Sequence, residues 1–134
     1  MNTISDILGS RRGTVISIGS AKSVHDALVL MEKHDVSALL VMDKGKLVGI
    51  VSEKDYARKV VLQGRTSKET KVGEIMVEHD RIHFATLKMT EQEAIRLMSE
   101  NQIRHLPVLD GNRKFVGVIS IRDFSFIADP ESEE

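Results

Sequence analysis

Cysteine and tryptophan are both absent from this 134-residue sequence. Without thiols there is no disulfide, no thiolate metal site and no cysteine nucleophile. One Tyr and four Phe leave few rings for stacking on bases, and a net charge of −1 creates no overall field for a polyanion. A nucleic-acid partner is therefore not expected, although Arg11-Arg12 and Arg58-Lys59 are local basic pairs; Arg58 and Lys59 read as a solvated helix face. Long apolar runs are missing too. Runs such as Ala38–Met42 and the Gly-interrupted Leu47–Val51 are far too short to span a bilayer. Met1–Arg12 lacks the apolar segment of a secretory signal. The expectation is a soluble cytoplasmic protein with no membrane partner.

Signatures of catalysis are equally scarce. Gly45-Lys46 has Leu40 where a phosphate-binding loop needs its upstream Gly, and Leu47 follows in place of Ser or Thr. No Gly-x-Ser-x-Gly elbow occurs. His25, His34, His79 and His83 are scattered, without a His-Glu-x-x-His pair. Neither an enzyme nor a metal site is expected.

What the sequence does contain is a repeat of itself. Thr3-Ile4-Ser5-Asp6-Ile7-Leu8 returns as Lys71-Val72-Gly73-Glu74-Ile75-Met76, and Ala27-Leu28-Val29-Leu30-Met31 returns as Ala94-Ile95-Arg96-Leu97-Met98. Leu39–Asp43 matches Leu106–Asp110, and Gly49–Asp55 matches Gly117–Asp123. Such self-similarity marks one supersecondary unit used twice. Val24, Ala27, Leu28 and Met31 form the apolar stripe of a helix, as do Ala94, Ile95 and Met98. Short buried strands follow at Ala38–Met42 and Leu106–Leu109, then Gly-containing turns, then strands at Leu47–Val51 and Phe115–Ile119. After each Ser a second helix is predicted, over Lys54–Leu62 and Arg122–Ala128, the latter stopped by Pro130.

The fold class read from this pattern is α/β, two tandem β-α-β-β-α repeats packed with pseudo-twofold symmetry. Residues 2–64 form the first repeat, 70–128 the second and 129–134 an acidic tail, with Gly64–Lys68 in the loop between repeats. So short a pair is expected to cover residual apolar surface by homodimerisation. The first-helix stripe at Ala27, Leu30 and Met31, with Ala94, Leu97 and Met98, is the candidate face.

Chemistry centres on the repeated Gly-x-x-Ser-x-x-Asp. Read structurally, Ser52 and Ser120 are N-caps, and Asp55 and Asp123 complete capping boxes. Read functionally, the same junction offers N–H groups to a phosphate and a carboxylate to a ribose cis-diol. Both readings can hold together.

Met31, Met98, His105-Leu106-Pro107-Val108 and the two Gly-x-x-Ser-x-x-Asp strings resemble the signature of paired cystathionine-β-synthase (CBS) domains. Ser52–Val60 and Gln63–Lys68 resemble the stand-alone two-repeat members. The resemblance covers nearly the whole chain. It implies a non-catalytic regulatory module that binds AMP, ATP, NAD(H) or S-adenosylmethionine in clefts between the repeats, and signals to a partner whose identity the sequence does not carry. Asp55 and Asp123 would take ribose, and Ser52 and Ser120 would lie near phosphate. Arg104 and His105, which stand where the first repeat has Ser37 and Ala38, resemble phosphate contacts. It further implies a homodimer. Two positions depart from the family pattern: Arg122 replaces a common Gly, placing a guanidinium beside Asp123, and Ala21 replaces a common acidic residue. The alternatives are a ligand-free interaction scaffold and, less favoured, a nucleic-acid binder.

Overall fold

A computed structural model describes residues 2–13 and 15–124. These residues fold as two compact units, one formed by Ile16–Ile82 and the other by the N-terminal segment up to Val15 with the chain from His83 onward. The opening helix of each sequence repeat thus belongs to the unit built mainly from the other repeat.

Helix α1 (Ile4–Leu8) starts at Thr3, whose hydroxyl and Asp6 form a capping box. A 3-10 turn, Gly9–Arg11, follows. In the Ile16–Ile82 unit, β1 (Ser17–Ile18) leads to α2 (Val24–His34), β2 (Ala38–Asp43), β3 (Lys46–Ser52) and α3 (Glu53–Tyr56), which runs on as a π-helical turn over Ala57–Val61. Helix α4 (Val72–Ile75) and strand β4 (Val77–Glu78) complete it. The sheet order is β1-β2-β3-β4, parallel between β1 and β2 and antiparallel thereafter.

The other unit repeats the plan with β5 (Ala85–Thr86), α5 (Glu91–Asn101), β6 (His105–Leu109) and β7 (Phe115–Ser120), in the order β5-β6-β7. Both hairpins carry a register shift, between Val41 and Met42 and between Val108 and Leu109. The unmatched residue opposite is Val48 or Val116, next to the motif glycine, and it bends the strand locally.

The β-α-β-β order and the start of the second helix after Ser52 are as expected. In the second repeat the described part of that helix is a 3-10 turn, Ile121–Asp123. The rest of the helix expected over 122–128, and the acidic tail 129–134, lie outside the described residues.

The first-helix stripes are core. Ala27 and Met31 join Ile18, Val24, Leu39, Val41 and Val51, while Ala94 and Met98 join Ile4, Leu8, Leu106, Val108 and Phe124. Leu30 and Leu97 pack against the same clusters. Of the expected dimer face, Ala27, Met31, Ala94 and Met98 are thus buried against their own unit's sheet and are not free for a second copy, while Leu30 and Leu97 stay partly exposed. Among the described residues, the large apolar side chains left exposed are Val29, Val61 and Leu62.

Candidate ligand site

Ser52 ends β3 in extended backbone, directly opposite Ala38 at the start of β2. Its hydroxyl oxygen accepts the Asp55 N–H at 3.3 Å, and Asp55 Oδ2 accepts the Ser52 N–H at 2.9 Å and the Ser52 hydroxyl at 3.0 Å. The capping box is complete. The other oxygen, Oδ1, pairs with the Lys59 ammonium at 3.1 Å, and the Asp55 side chain is 12% exposed. Lys59 also donates to the carbonyl of Ile75, the last residue of α4, at 2.9 Å.

The second junction is built alike but wired differently. Ser120 stands opposite His105. Asp123 Oδ2 accepts the Ser120 N–H at 2.7 Å, and the Ser120 hydroxyl oxygen accepts the Arg122 N–H at 3.3 Å. Asp123 Oδ1 pairs with Arg11 at 3.2 Å, and the Asp123 side chain is 21% exposed. Each carboxylate therefore has one oxygen committed to its cap and the other to a cation.

Sequence reading misses both cations. Lys59 does lie on a solvated face, its side chain 45% exposed, but it also stands at i+4 from Asp55, the spacing at which helical side chains of opposite charge meet. Arg11 has no local signal. It reaches Asp123 only because the N-terminal segment folds into that unit.

Arg104, His105, Ser120, Arg122 and Asp123 are brought to one end of the β6-β7 hairpin. The Arg104 carbonyl accepts the Ile121 N–H at 2.9 Å, just as the Ser37 carbonyl accepts that of Glu53 in the other unit. The side chains of Arg104 and Arg122 are exposed, and His105 is partly buried. In the other unit Ser37, Ala38, Ser52, Lys54 and Asp55 hold the equivalent places.

The motif glycines serve packing. A Cβ at Gly49 would stand 2.6 Å from Met76 Sδ and 2.7 Å from the Val77 carbonyl oxygen, and one at Gly117 would stand 2.9 Å from Leu8 Cδ2. Leu8 and Met76 are themselves equivalent residues of the repeat.

At the far end of β2, Asp43 accepts the Ser20 N–H at 2.9 Å and the Ser20 hydroxyl. These bonds, the hydroxyl's foremost, hold its carboxyl below the ordinary value of 3.8. They tether the loop carrying Ala21, which is exposed. Asp110 instead accepts the N–H groups of Asn112 and Lys114 in its own turn.

Among the described residues no cluster of His, Asp or Glu could hold a metal ion, and no helix is long and apolar enough to cross a membrane.

The CBS domain family profile matches residues 4–62 and 72–127. The chain belongs to the CBS domain family. This CBS pair is 39% identical over 128 residues to the mitochondrial CBS domain-containing protein CBSX3 of Arabidopsis thaliana, covering 90% of this chain and 62% of that protein. The pair thus spans about three-fifths of that relative's length. Among solved structures, a CBS-domain protein of Burkholderia ambifaria is 42% identical with a TM-score of 0.86, covering 96% of each chain. A CBS domain pair in complex with 5′-methylthioadenosine and S-adenosyl-L-methionine is 27% identical with a TM-score of 0.79, covering 100% of this chain and 99% of that one.

Proposed function

We propose that this CBS pair is a non-catalytic regulatory module that binds an adenosine-containing ligand at its Ser-x-x-Asp junctions and signals ligand level to a partner protein. AMP is the favoured ligand, with ATP, NAD(H) and S-adenosylmethionine as alternatives. The observation that carries the reading is the presence, at both equivalent junctions, of a partly shielded carboxylate with acceptor capacity left over after its cap is made. The solved relative holding two adenosine derivatives supports the same ligand class. In this reading Asp55 and Asp123 accept ribose hydroxyls, and Ser52 and Ser120 lie beside phosphate. Arg104, His105 and Arg122 supply further donors at the second junction. The active species is a homodimer. The deciding experiment is a thermal-shift screen against AMP, ADP, ATP, NAD(H) and S-adenosylmethionine after removal of copurified nucleotide. A hundredfold excess over the dissociation constant stabilises the fold by about 2.7 kcal/mol, which raises the melting temperature by several degrees.

A second reading is favoured by one specific feature: the capping boxes already give Ser52, Asp55, Ser120 and Asp123 a structural role. On that reading the pair is a ligand-free interaction scaffold. It is the conclusion if no adenosine ligand shifts the melting temperature.

A further inference from the structure

The two ribose acceptors of the proposed function differ in how much of each carboxylate is already used. An ionised carboxylate has about four lone-pair positions. Asp55 has three of them engaged, two on Oδ2 by the Ser52 N–H and hydroxyl and one on Oδ1 by Lys59. Among the described residues, Asp123 has two engaged, one by the Ser120 N–H and one by Arg11. A ribose cis-diol offers two O–H donors. Counted on the described residues, Asp123 can accept both, whereas Asp55 can accept only one while Lys59 is in place.

Lys59 is also held from its other side. Its ammonium bridges Asp55 and the Ile75 carbonyl, so withdrawal from the carboxylate is opposed by the bond to the end of α4. The Lys59 backbone lies in the π-helical turn Ala57–Val61, an irregularity that recurs at functional positions. The Arg11 and Lys59 side chains are similarly exposed, at 49% and 45%, but among the described residues Arg11 has a single contact, Nη2 to Asp123 at 3.2 Å, where Lys59 has two partners. We infer that Lys59 is a specificity-determining residue: it restricts Asp55 to one ribose hydroxyl, so the Asp55 junction tolerates ligands with a deoxygenated or substituted ribose while the Asp123 junction demands the free cis-diol. This rests on the ribose role proposed for both Asp residues.

The test uses adenosine, 2′-deoxyadenosine and 3′-deoxyadenosine, whose lack of a phosphate keeps the loss of a lysine charge from affecting binding by itself. Calorimetry on Asp55→Ala protein reads the Asp123 junction, and on Asp123→Ala protein it reads the Asp55 junction. At the Asp123 junction, loss of either hydroxyl is expected to weaken binding about tenfold, the effect of one hydrogen bond to a charged acceptor. At the Asp55 junction, loss of one of the two hydroxyls costs nothing. Adding Lys59→Met to the Asp123→Ala protein tightens adenosine about tenfold and makes both hydroxyls count; Lys59→Arg does neither. Equal penalties for both deoxynucleosides at the Asp55 junction, with Lys59 present, overturn the inference without requiring the Met variant to fold. If adenosine binds neither single variant nor the unmodified protein, the inference falls, while the ligand-binding function stands or falls separately on the thermal-shift screen.

Discussion

Leu8 fills the space that a β-carbon on Gly117 would occupy, with Cδ2 2.9 Å from that position. Met76 stands in the same relation to Gly49, so the segment opening each repeat closes over the motif glycine of the other. A close approach of this kind demands glycine for lack of a side chain.

Substituting these glycines separates flexible from rigid neighbours. Gly117→Ala meets the end of the Leu8 side chain, which can rotate away, and is expected to cost about 1–3 kcal/mol, the range for overpacking. Gly49→Ala meets the Val77 carbonyl as well as Met76 and is expected to cost more, because backbone in a paired strand cannot move aside. Urea denaturation of the two variants checks the order; an equal or reversed ranking refutes it.

Leu8→Ala tests where the N-terminal segment belongs. Leu8 is buried with Leu106, Val108 and Ile119, so the expected loss is about 2–5 kcal/mol. Hydrogen exchange should quicken in β6 and β7 before β2 and β3. Faster exchange confined to β2 and β3 would mean that the segment packs with the other unit.

The two junctions should also differ in affinity for phosphorylated ligand. Arg104, His105 and Arg122 stand near Ser120 where Ser37, Ala38 and Lys54 stand near Ser52. A well-formed charge-assisted hydrogen bond contributes roughly 1.5–3 kcal/mol, about tenfold in affinity or more. Titration with AMP should lose its tighter event in Asp123→Ala and keep it in Asp55→Ala. The opposite pattern reverses the assignment, and a wild-type isotherm of two identical sites removes the inequality.

Acid sensitivity follows from the capping and tethering carboxylates. Asp6, Asp43, Glu74, Glu93 and Asp110 all have carboxyl groups held below their ordinary values, chiefly by hydrogen bonds from Thr3, Ser20, Lys71, Thr90 and Lys114 respectively. A carboxyl lowered by folding binds its proton more weakly in the native state than in the unfolded chain. Its contribution is therefore complete above the unfolded values, 3.8 for Asp and 4.5 for Glu, and is lost as pH falls through the lowered native values. Urea midpoints should be level above that range and decline below it. Asp43→Asn should make the decline shallower, since one of the five linked protons is gone. An unchanged slope in that variant would show that the Ser20 tether contributes nothing to acid sensitivity.

Much of the architecture is legible in the order of residues. The internal repeat announces one unit used twice, the 3.6-residue stripe marks α2 and α5, and the short apolar runs mark the paired strands, because each of these patterns is local and periodic. The capping role of Ser52 with Asp55, and of Ser120 with Asp123, is equally local. A cap joins residues three apart, so spacing alone specifies it.

Tertiary structure decided what spacing cannot express. Ala27, Met31, Ala94 and Met98 have the same apolar pattern whether they cover a sheet or a second copy, and only packing shows that they cover the sheet. The partners of the two carboxylates divide in the same way. Lys59 lies one helical turn from Asp55, but Arg11 is more than a hundred residues from Asp123, and they meet because α1 and the hairpin of the second repeat share one core. Sequence determined which groups each junction holds; how many acceptor positions remain open on Asp55 and Asp123 depends on chain segments that only folding brings together.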